Sequence, residues 1–198
     1  GGAGRWGGGG GGPPLGRGPP RPQPALGGGP RGAGPVELLL VIVDASASTR
    51  RNSALSQAKG LLSQVFDDAY RRRARLALLT ASGTAPQWQH QGLKASAALQ
   101  PWLAALGAGG GTPLQQALEQ AAHWLAQRKK RYPAERQRVL VMTDGRLKPM
   151  SGLAPLPCES MLVDIEMGPI RLGRARELAQ TLGAEYRHIE NLALSRSR

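Results

Sequence analysis

The sequence predicts an α/β fold in which helices cover both faces of a doubly wound, mostly parallel sheet, preceded by a disordered tail. Two observations predict this fold. Short apolar runs of strand length alternate along residues 36–190 with longer segments whose apolar residues recur at helical spacing. The first 35 residues, by contrast, contain 16 Gly, 8 Pro and 4 Arg and no acidic residue. Alternating strands and helices are typical of parallel sheets joined by crossover helices.

The composition divides the chain into three parts. Residues 1–35 hold few side chains that could form a core, so they cannot bury enough apolar surface to offset the entropy lost on ordering, and we expect them to be disordered. Residues 36–190 have the length of one ordinary domain. Residues 191–198 are expected to form a basic C-terminal tail.

The first half of the domain begins with a nearly continuous apolar run at residues 36–43, which predicts a strand buried on both faces. A helix is predicted from about Ser53 because Leu, Ala and Phe residues then recur at helical spacing. Further elements are predicted as a strand at 76–80, a short edge strand at 85–89 and a helix at 93–106.

The second half contains the most regular helix of the sequence. Its apolar stripe consists of Leu114, Ala117, Leu118, Ala121 and Leu125. Three more strands are predicted from apolar runs, and one more helix from its spacing and from the glycine that follows it. These elements are strands at 138–142, 160–165 and 186–189 and a helix at 171–182, which Gly183 ends.

Oxygen-bearing side chains follow two of the apolar strands and open one helix. Asp44, Ser46 and Ser48 come after the first strand, Asp144 comes after a later one, and Thr112 precedes the most regular helix. Ligands of such sheets gather at the carboxyl ends of the strands. Hard oxygens are the ligands that Mg²⁺ prefers. Two carboxylates and three hydroxyls would leave a coordination position for a partner's carboxylate, so the pattern predicts a metal-dependent docking site rather than a catalytic one.

The three hydroxyl residues also have a simpler interpretation. Thr112 alone would be read as a helix N-cap, with Gln115 completing a capping box. Ser46 and Ser48 alone would be ordinary turn residues. The glycine-rich loop at 107–111 lacks the third glycine of a dinucleotide-binding fingerprint and does not follow a strong strand, so we set a nucleotide site aside.

The net charge of +13 raises the question of nucleic-acid binding. Basic residues cluster at 71–75 and 128–131, but no recognition-helix, zinc-finger or RNA-binding motif accompanies them. The charge therefore favours an acidic protein partner, or simply solvated helix ends. The single Cys158 favours a reducing compartment. No apolar run approaches the ~18 residues of a membrane span.

Taken together, these motifs resemble the metal-ion-dependent adhesion site of von Willebrand factor A domains. The surrounding sequence is most similar to the C-terminal domain of the magnesium chelatase D subunit. The matching segments are residues 41–48, 58–60, 68–72, 109–114, 143–146 and 163–166. Ala47 and Thr49 stand where Gly and Met are commoner in the family, but every oxygen ligand is kept. By position, the resemblance assigns the metal to Asp44, Ser46, Ser48, Thr112 and Asp144.

The resemblance implies a non-catalytic accessory subunit of a chelatase that inserts magnesium or cobalt into a tetrapyrrole in the cytoplasm. Its expected cofactor is Mg²⁺ or another divalent cation, and its expected partners are an AAA+ ATPase subunit and the large chelatase subunit. The sequence has no phosphate-binding loop of its own. Docking on another AAA+ ATPase and extracellular adhesion remain alternatives. An enzyme is disfavoured, because no Ser/His/Asp or Cys/His constellation is recognisable in the sequence.

Overall fold

The computed structural model describes residues 36–44, 53–82, 85–94, 114–145, 150–167 and 172–194. All of them belong to the second of two units into which the chain divides, Gly1–Gly34 and Pro35–Arg198. The predicted disordered tail at 1–35 lies outside the described residues. The secondary structure consists of β1 (Glu37–Asp44), α1 (Ser53–Arg71), β2 (Arg75–Ser82), β3 (Ala85–Lys94), α2 (Leu114–Arg131), β4 (Arg136–Thr143), β5 (Glu159–Asp164), α3 (Arg174–Leu182), β6 (Glu185–His188) and α4 (Ile189–Leu194).

The strands form one six-stranded sheet in the order β3-β2-β1-β4-β5-β6. Five strands are parallel to one another, and β3 pairs antiparallel with β2 at the edge. The strand order reverses direction at β1, from which the chain first builds outwards to β2 and β3 and later to β4, β5 and β6. Crevices at such a reversal are where open α/β sheets bind ligands. The predicted doubly wound, mostly parallel sheet is confirmed.

Two cores lie on opposite faces of this sheet, as the apolar runs predict. On one face, α2 and α3 pack against side chains of β1, β2, β4 and β5. On the other face, α1 and Ile189 of α4 pack against the same strands. The apolar stripe predicted for α2 is fully buried. Because both faces are covered, the central strands β1 and β4 are buried along most of their length.

The ends of four strands are aligned, and this alignment positions the site. Val43 of β1 pairs with Met142 of β4, so Asp44 stands next to Thr143. Thr143 pairs in turn with Asp164 of β5, and Asp164 pairs with His188 of β6. Side chains at one register level of a parallel sheet point to the same face. Four polar residues therefore form a row along the carboxyl edge.

Two predictions about the elements need correction. The helix predicted from residue 93 is wrong at its start, since β3 continues to Lys94, which pairs with Arg75 of β2. Hydrogen bonding to the neighbouring strand outweighs the weak helical spacing there; residues 95–106 lie outside the described part. The last strand ends at His188 rather than Ile189, and the short helix α4 follows it.

Among the described helices, none is both long and apolar enough to cross a membrane.

Candidate metal site

Asp44 is the last residue of β1 and is held in place by its neighbour on β4. The Thr143 hydroxyl donates a hydrogen bond to Asp44 Oδ2 at 2.8 Å, and the same hydroxyl oxygen accepts the Gly145 backbone N–H at 3.1 Å. Thr143 is fully buried. One threonine hydroxyl thus fixes the Asp44 carboxylate and the turn after β4 at the same time.

The environment of Asp44 is unfavourable for a carboxylate in the absence of a cation. Its residue is 1% exposed, and Oδ1 is buried with no hydrogen-bond partner in the described part of the chain. Burial raises the pKa of Asp44 from 3.8 to about 7; the Thr143 hydrogen bond lowers it, and the charge of Asp144 raises it. Buried charges are normally paired or bound to a metal. A cation bound at Oδ1 would therefore account best for this unpartnered oxygen.

Asp144 follows β4 directly and is also buried, at 4% exposure. The turn behind it is tightly packed against α3. Gly145 has a φ of 71°, and a Cβ atom on it would lie 2.5 Å from the backbone nitrogen of Ala175. Only glycine allows this approach. The close contact fixes the segment after Asp144 against the first turn of α3.

The structure brings together two of the five predicted ligands. Asp44 and Asp144 lie near each other at the carboxyl edge of neighbouring strands, whereas Ser46, Ser48 and Thr112 lie outside the described residues. Within the described ranges, no group of three or more His, Cys, Asp or Glu side chains could hold a metal by itself. Two carboxylates are few for a divalent ion, so hydroxyls, water or a partner's carboxylate would have to complete the coordination.

The rest of the polar row is already hydrogen-bonded within the protein. Asp164 Oδ1 accepts the Glu166 backbone N–H at 2.8 Å, and Oδ2 accepts the Tyr186 hydroxyl at 2.5 Å. His188 Nε2 lies 2.8 Å from the Glu166 carbonyl oxygen, and Nδ1 accepts the Glu190 backbone N–H at 3.2 Å. Because both polar atoms of Asp164 and of His188 are engaged, these side chains support the edge of the sheet rather than offering ligands.

Sequence reasoning missed the role of Thr143. The residue opens the matching segment 143–146, but its partner could be found only from the strand order, which places β4 beside β1. A threonine that ends a buried strand, one residue before a candidate metal ligand, was the available signal.

Comparisons with known sequences give one family and several relatives. The von Willebrand factor type A domain family matches residues 39–146. An uncharacterised protein of Mycobacterium tuberculosis is 32% identical over 203 residues, covering 90% of this chain and 30% of its own length. The magnesium-chelatase 67 kDa subunit of Chlorobaculum parvum is 29% identical over 180 residues, covering 78% of this chain and 29% of its own length. The chain thus spans less than a third of the length of these relatives.

The solved structures that it resembles share its fold at low sequence identity. Proximal thread matrix protein 1 from the mussel byssus, in a form with a zinc-occupied metal-ion-dependent adhesion motif, superposes with a TM-score of 0.56 at 14% identity; the match covers 81% of this chain and 46% of that one. The Rpn10 von Willebrand factor A domain superposes with a TM-score of 0.51 at 13% identity, covering 77% and 87%. The sheet order, the paired aspartates at its carboxyl edge and the family match lead to one conclusion: this chain belongs to the von Willebrand factor type A domain family.

Proposed function

We propose that this chain is a non-catalytic accessory subunit of a metal chelatase that inserts magnesium or cobalt into a tetrapyrrole. It would dock on an AAA+ ATPase subunit, on the large chelatase subunit, or on both, through a bound Mg²⁺ ion. The observation that carries the proposal is the buried carboxylate of Asp44, with one oxygen held by Thr143 and the other unpartnered within the described residues.

In this proposal, Asp44 and Asp144 hold the ion with the hydroxyls of Ser46, Ser48 and Thr112. A bound Mg²⁺ would supply a positive centre that is only partly neutralised and that takes one more carboxylate from outside. The protein's own contribution is to orient the ligands. Thr143 fixes the direction of the Asp44 carboxylate, and the contact between Gly145 and Ala175 keeps the turn after Asp144 in place.

The choice of a chelatase rests on the relatives. Besides the protein of Chlorobaculum parvum, the magnesium-chelatase 60 kDa subunit of Rhodobacter capsulatus is 34% identical over 109 residues, covering 55% of this chain. Because this chain spans only part of each relative, the partners of the whole complex are carried over as part of the proposal. A chelatase that works on a biosynthetic tetrapyrrole would place this chain in the cytoplasm.

The test is capture of partners by the tagged 198-residue chain from lysate of the source cells, in Mg²⁺ and in EDTA, with identification by mass spectrometry. We expect an AAA+ ATPase and a large tetrapyrrole-binding subunit in Mg²⁺, and neither of them in EDTA. Asp44→Ala should lose both partners even in Mg²⁺, because the ion loses its buried ligand.

Asp67→Ala is the matched control, since Asp67 is an exposed carboxylate on α1. It should capture the same partners as the wild type. Circular dichroism must show that Asp44→Ala remains folded. Capture of the same partners by Asp44→Ala, or capture that EDTA does not change, would refute metal-dependent docking. Mg²⁺-dependent capture of a different AAA+ ATPase would refute the chelatase while keeping the docking site.

A further inference from the structure

Two clusters of basic residues lie at the amino edge of the sheet, opposite the candidate metal site. The helices α1 and α2 both end there, α1 with Arg71 and the following Arg72 and Arg73, and α2 with the basic run 128–131. The strand β4 begins there with Arg136. The candidate metal site uses none of these residues.

Part of this charge is neutralised within the fold. The buried carboxylate of Glu135 receives two hydrogen bonds from the Arg128 guanidinium, at 2.6 and 2.8 Å, and lies 3.7 Å from Arg75. The guanidinium of Arg128 also stacks on the rings of Trp124 and Tyr132, at 5.4 and 4.7 Å from their centroids. Arg128 is therefore a structural residue. Its neighbours Lys129 and Lys130 are exposed.

Beside these lysines lies a groove of about 660 Å³ between the end of α2 and the starts of β4 and β5. Its cations are Lys129, Lys130 and Arg136, and its carboxylate is Glu159, which pairs with Arg136 at 3.1 Å. Its apolar lining consists of Leu125, Ala126, Pro157 and Cys158, and the polar Gln137 also lines it. The groove thus combines basic side chains with an apolar lining.

We propose that this groove binds a short acidic polypeptide segment that carries at least one apolar side chain. The exposed Lys129 and Lys130 match its carboxylates, since Arg136 is already paired with Glu159. The apolar lining formed by Ala126, Pro157 and Cys158 receives the apolar side chain. The surface lies at the opposite edge of the sheet from Asp44, so the proposal does not depend on the metal site.

The lining of the groove favours a polypeptide over a nucleic acid. Sites for single-stranded nucleic acids stack bases on aromatic side chains. Among the described residues that line the groove, none is aromatic, and the nearby rings of Trp124 and Tyr132 are already stacked with Arg128.

The test uses the whole 198-residue chain in EDTA, which keeps the metal site out of the measurement. Fluorescence anisotropy would measure the Kd of a labelled peptide of sequence Asp-Glu-Leu-Leu-Glu-Asp, of the same peptide with both leucines replaced by serine, and of oligouridine of similar charge. We expect the leucine peptide to bind most tightly. The double variant Lys129→Glu/Lys130→Glu should weaken it about tenfold or more.

The matched control is Arg71→Glu/Arg73→Glu, which changes the net charge equally at the same edge but outside the groove. It should weaken peptide binding less than about threefold. Equal losses of peptide affinity in the two double variants would overturn the proposal in favour of a diffuse electrostatic attraction. No loss of affinity in either variant would mean that the groove is not a peptide site. Tighter binding of oligouridine than of the peptide would overturn it in favour of nucleic acid.

Cys158 gives a second readout, because it lines the groove and is the only cysteine of the chain. Bound peptide should slow its alkylation by iodoacetamide, and this protection should vanish in Lys129→Glu/Lys130→Glu. Unchanged alkylation at saturating peptide would place the peptide elsewhere and overturn the proposal.

Discussion

The carboxyl group of Asp44 is placed where its charged form is unfavourable unless a cation is present. Burial raises its pKa from 3.8 to about 7, the Thr143 hydrogen bond offsets part of this effect, and Asp144 adds repulsion. A divalent ion would lower the pKa of Asp44 again, because it stabilises the charged form of the carboxyl group. Metal affinity and pH are therefore coupled through this one residue.

We predict that the contribution of Asp44 to the stability of the metal-free domain is lost as the pH rises from about 4 to about 7. An aspartate whose pKa is raised by folding binds its proton more tightly in the folded state, so the stabilisation is complete below 3.8 and is lost through about 7. The difference between the two pKa values of Asp44 corresponds to at most about 4 kcal/mol of unfolding free energy. Urea unfolding in EDTA at several pH values would measure it.

Asp44→Asn supplies the comparison, since asparagine has a similar shape and no charge. The difference in unfolding free energy between this variant and the wild type should change across that pH range and stay constant above it. A difference that does not depend on pH would contradict the raised pKa. Mg²⁺ should stabilise the wild type at neutral pH and should not stabilise Asp44→Asn.

Thr143 is a positioning residue, and we predict that Thr143→Val weakens Mg²⁺ binding about tenfold or more. The variant removes the hydrogen bond that lowers the Asp44 pKa, so a proton should compete better with the ion. Calorimetric titration with Mg²⁺ at neutral and at alkaline pH would test this.

Thr143→Ser keeps the hydroxyl and should bind Mg²⁺ nearly as tightly as the wild type. Higher pH should recover part of the affinity of Thr143→Val, because deprotonation of Asp44 is then no longer limiting. Equal affinities of the two variants, or a loss in Thr143→Val that no pH improves, would mean that the hydroxyl acts only on packing.

At the level of elements, the site depends on how closely β4 and α3 approach each other. Gly145 follows Asp144, and its Cα lies against the backbone of Ala175 in the first turn of α3. The other end of α3 is also fixed, since Gly183 adopts a left-handed conformation and Ala184 N–H donates to the Ala179 carbonyl at 2.9 Å. The helix is thus held at both ends against the sheet.

We predict that Gly145→Ala destabilises the domain by about 2–5 kcal/mol, because its Cβ would overlap the Ala175 backbone nitrogen at 2.5 Å in addition to the strain of a positive φ. Gly152→Ala isolates the conformational part, since Gly152 has a φ of 79° and no atom within 4 Å of its hypothetical Cβ. It should cost only about 1–2 kcal/mol. Chemical denaturation of both variants measures the difference, and equal costs would contradict the steric argument.

The sequence was informative where a pattern was long and regular. The apolar run of β1 and the stripe of α2 predicted buried elements, and Gly183 marked the end of α3. The short helix α4 was not predicted, because its six residues contain too little periodicity to distinguish them from the end of a strand. The length of the edge strand β3 was underestimated, since it depends on pairing with β2 rather than on the composition of β3 itself.

The candidate site was predictable to a similar extent. Asp44 and Asp144 could be placed at one edge of the sheet because parallel strands present their carboxyl ends together. The hydrogen bond between Thr143 and Asp44 could not be predicted, since it depends on β1 and β4 being neighbours although 99 residues separate the two side chains. The metal-binding roles of all five residues, Asp44, Ser46, Ser48, Thr112 and Asp144, stay predictions.

At the scale of the whole molecule, we predict that deletion of residues 1–34 changes the melting temperature by less than ~2 °C. The reason lies in the composition, since a segment of Gly, Pro and Arg has little apolar surface to contribute to a core. Differential scanning calorimetry of the full and the shortened chain would measure the change. A fall of several degrees would show that the segment contributes to the folded domain.

The strand β4 joins the two proposed binding regions. It begins at Arg136, on the rim of the basic groove, and ends at Thr143, which holds the Asp44 carboxylate. An extended strand of this length measures roughly 25 Å and, buried between two strands, hardly stretches or bends. Two proteins bound at its ends would be kept at a constant spacing. Movement of one bound protein would then reposition the other, because the strand between them acts as a rigid spacer.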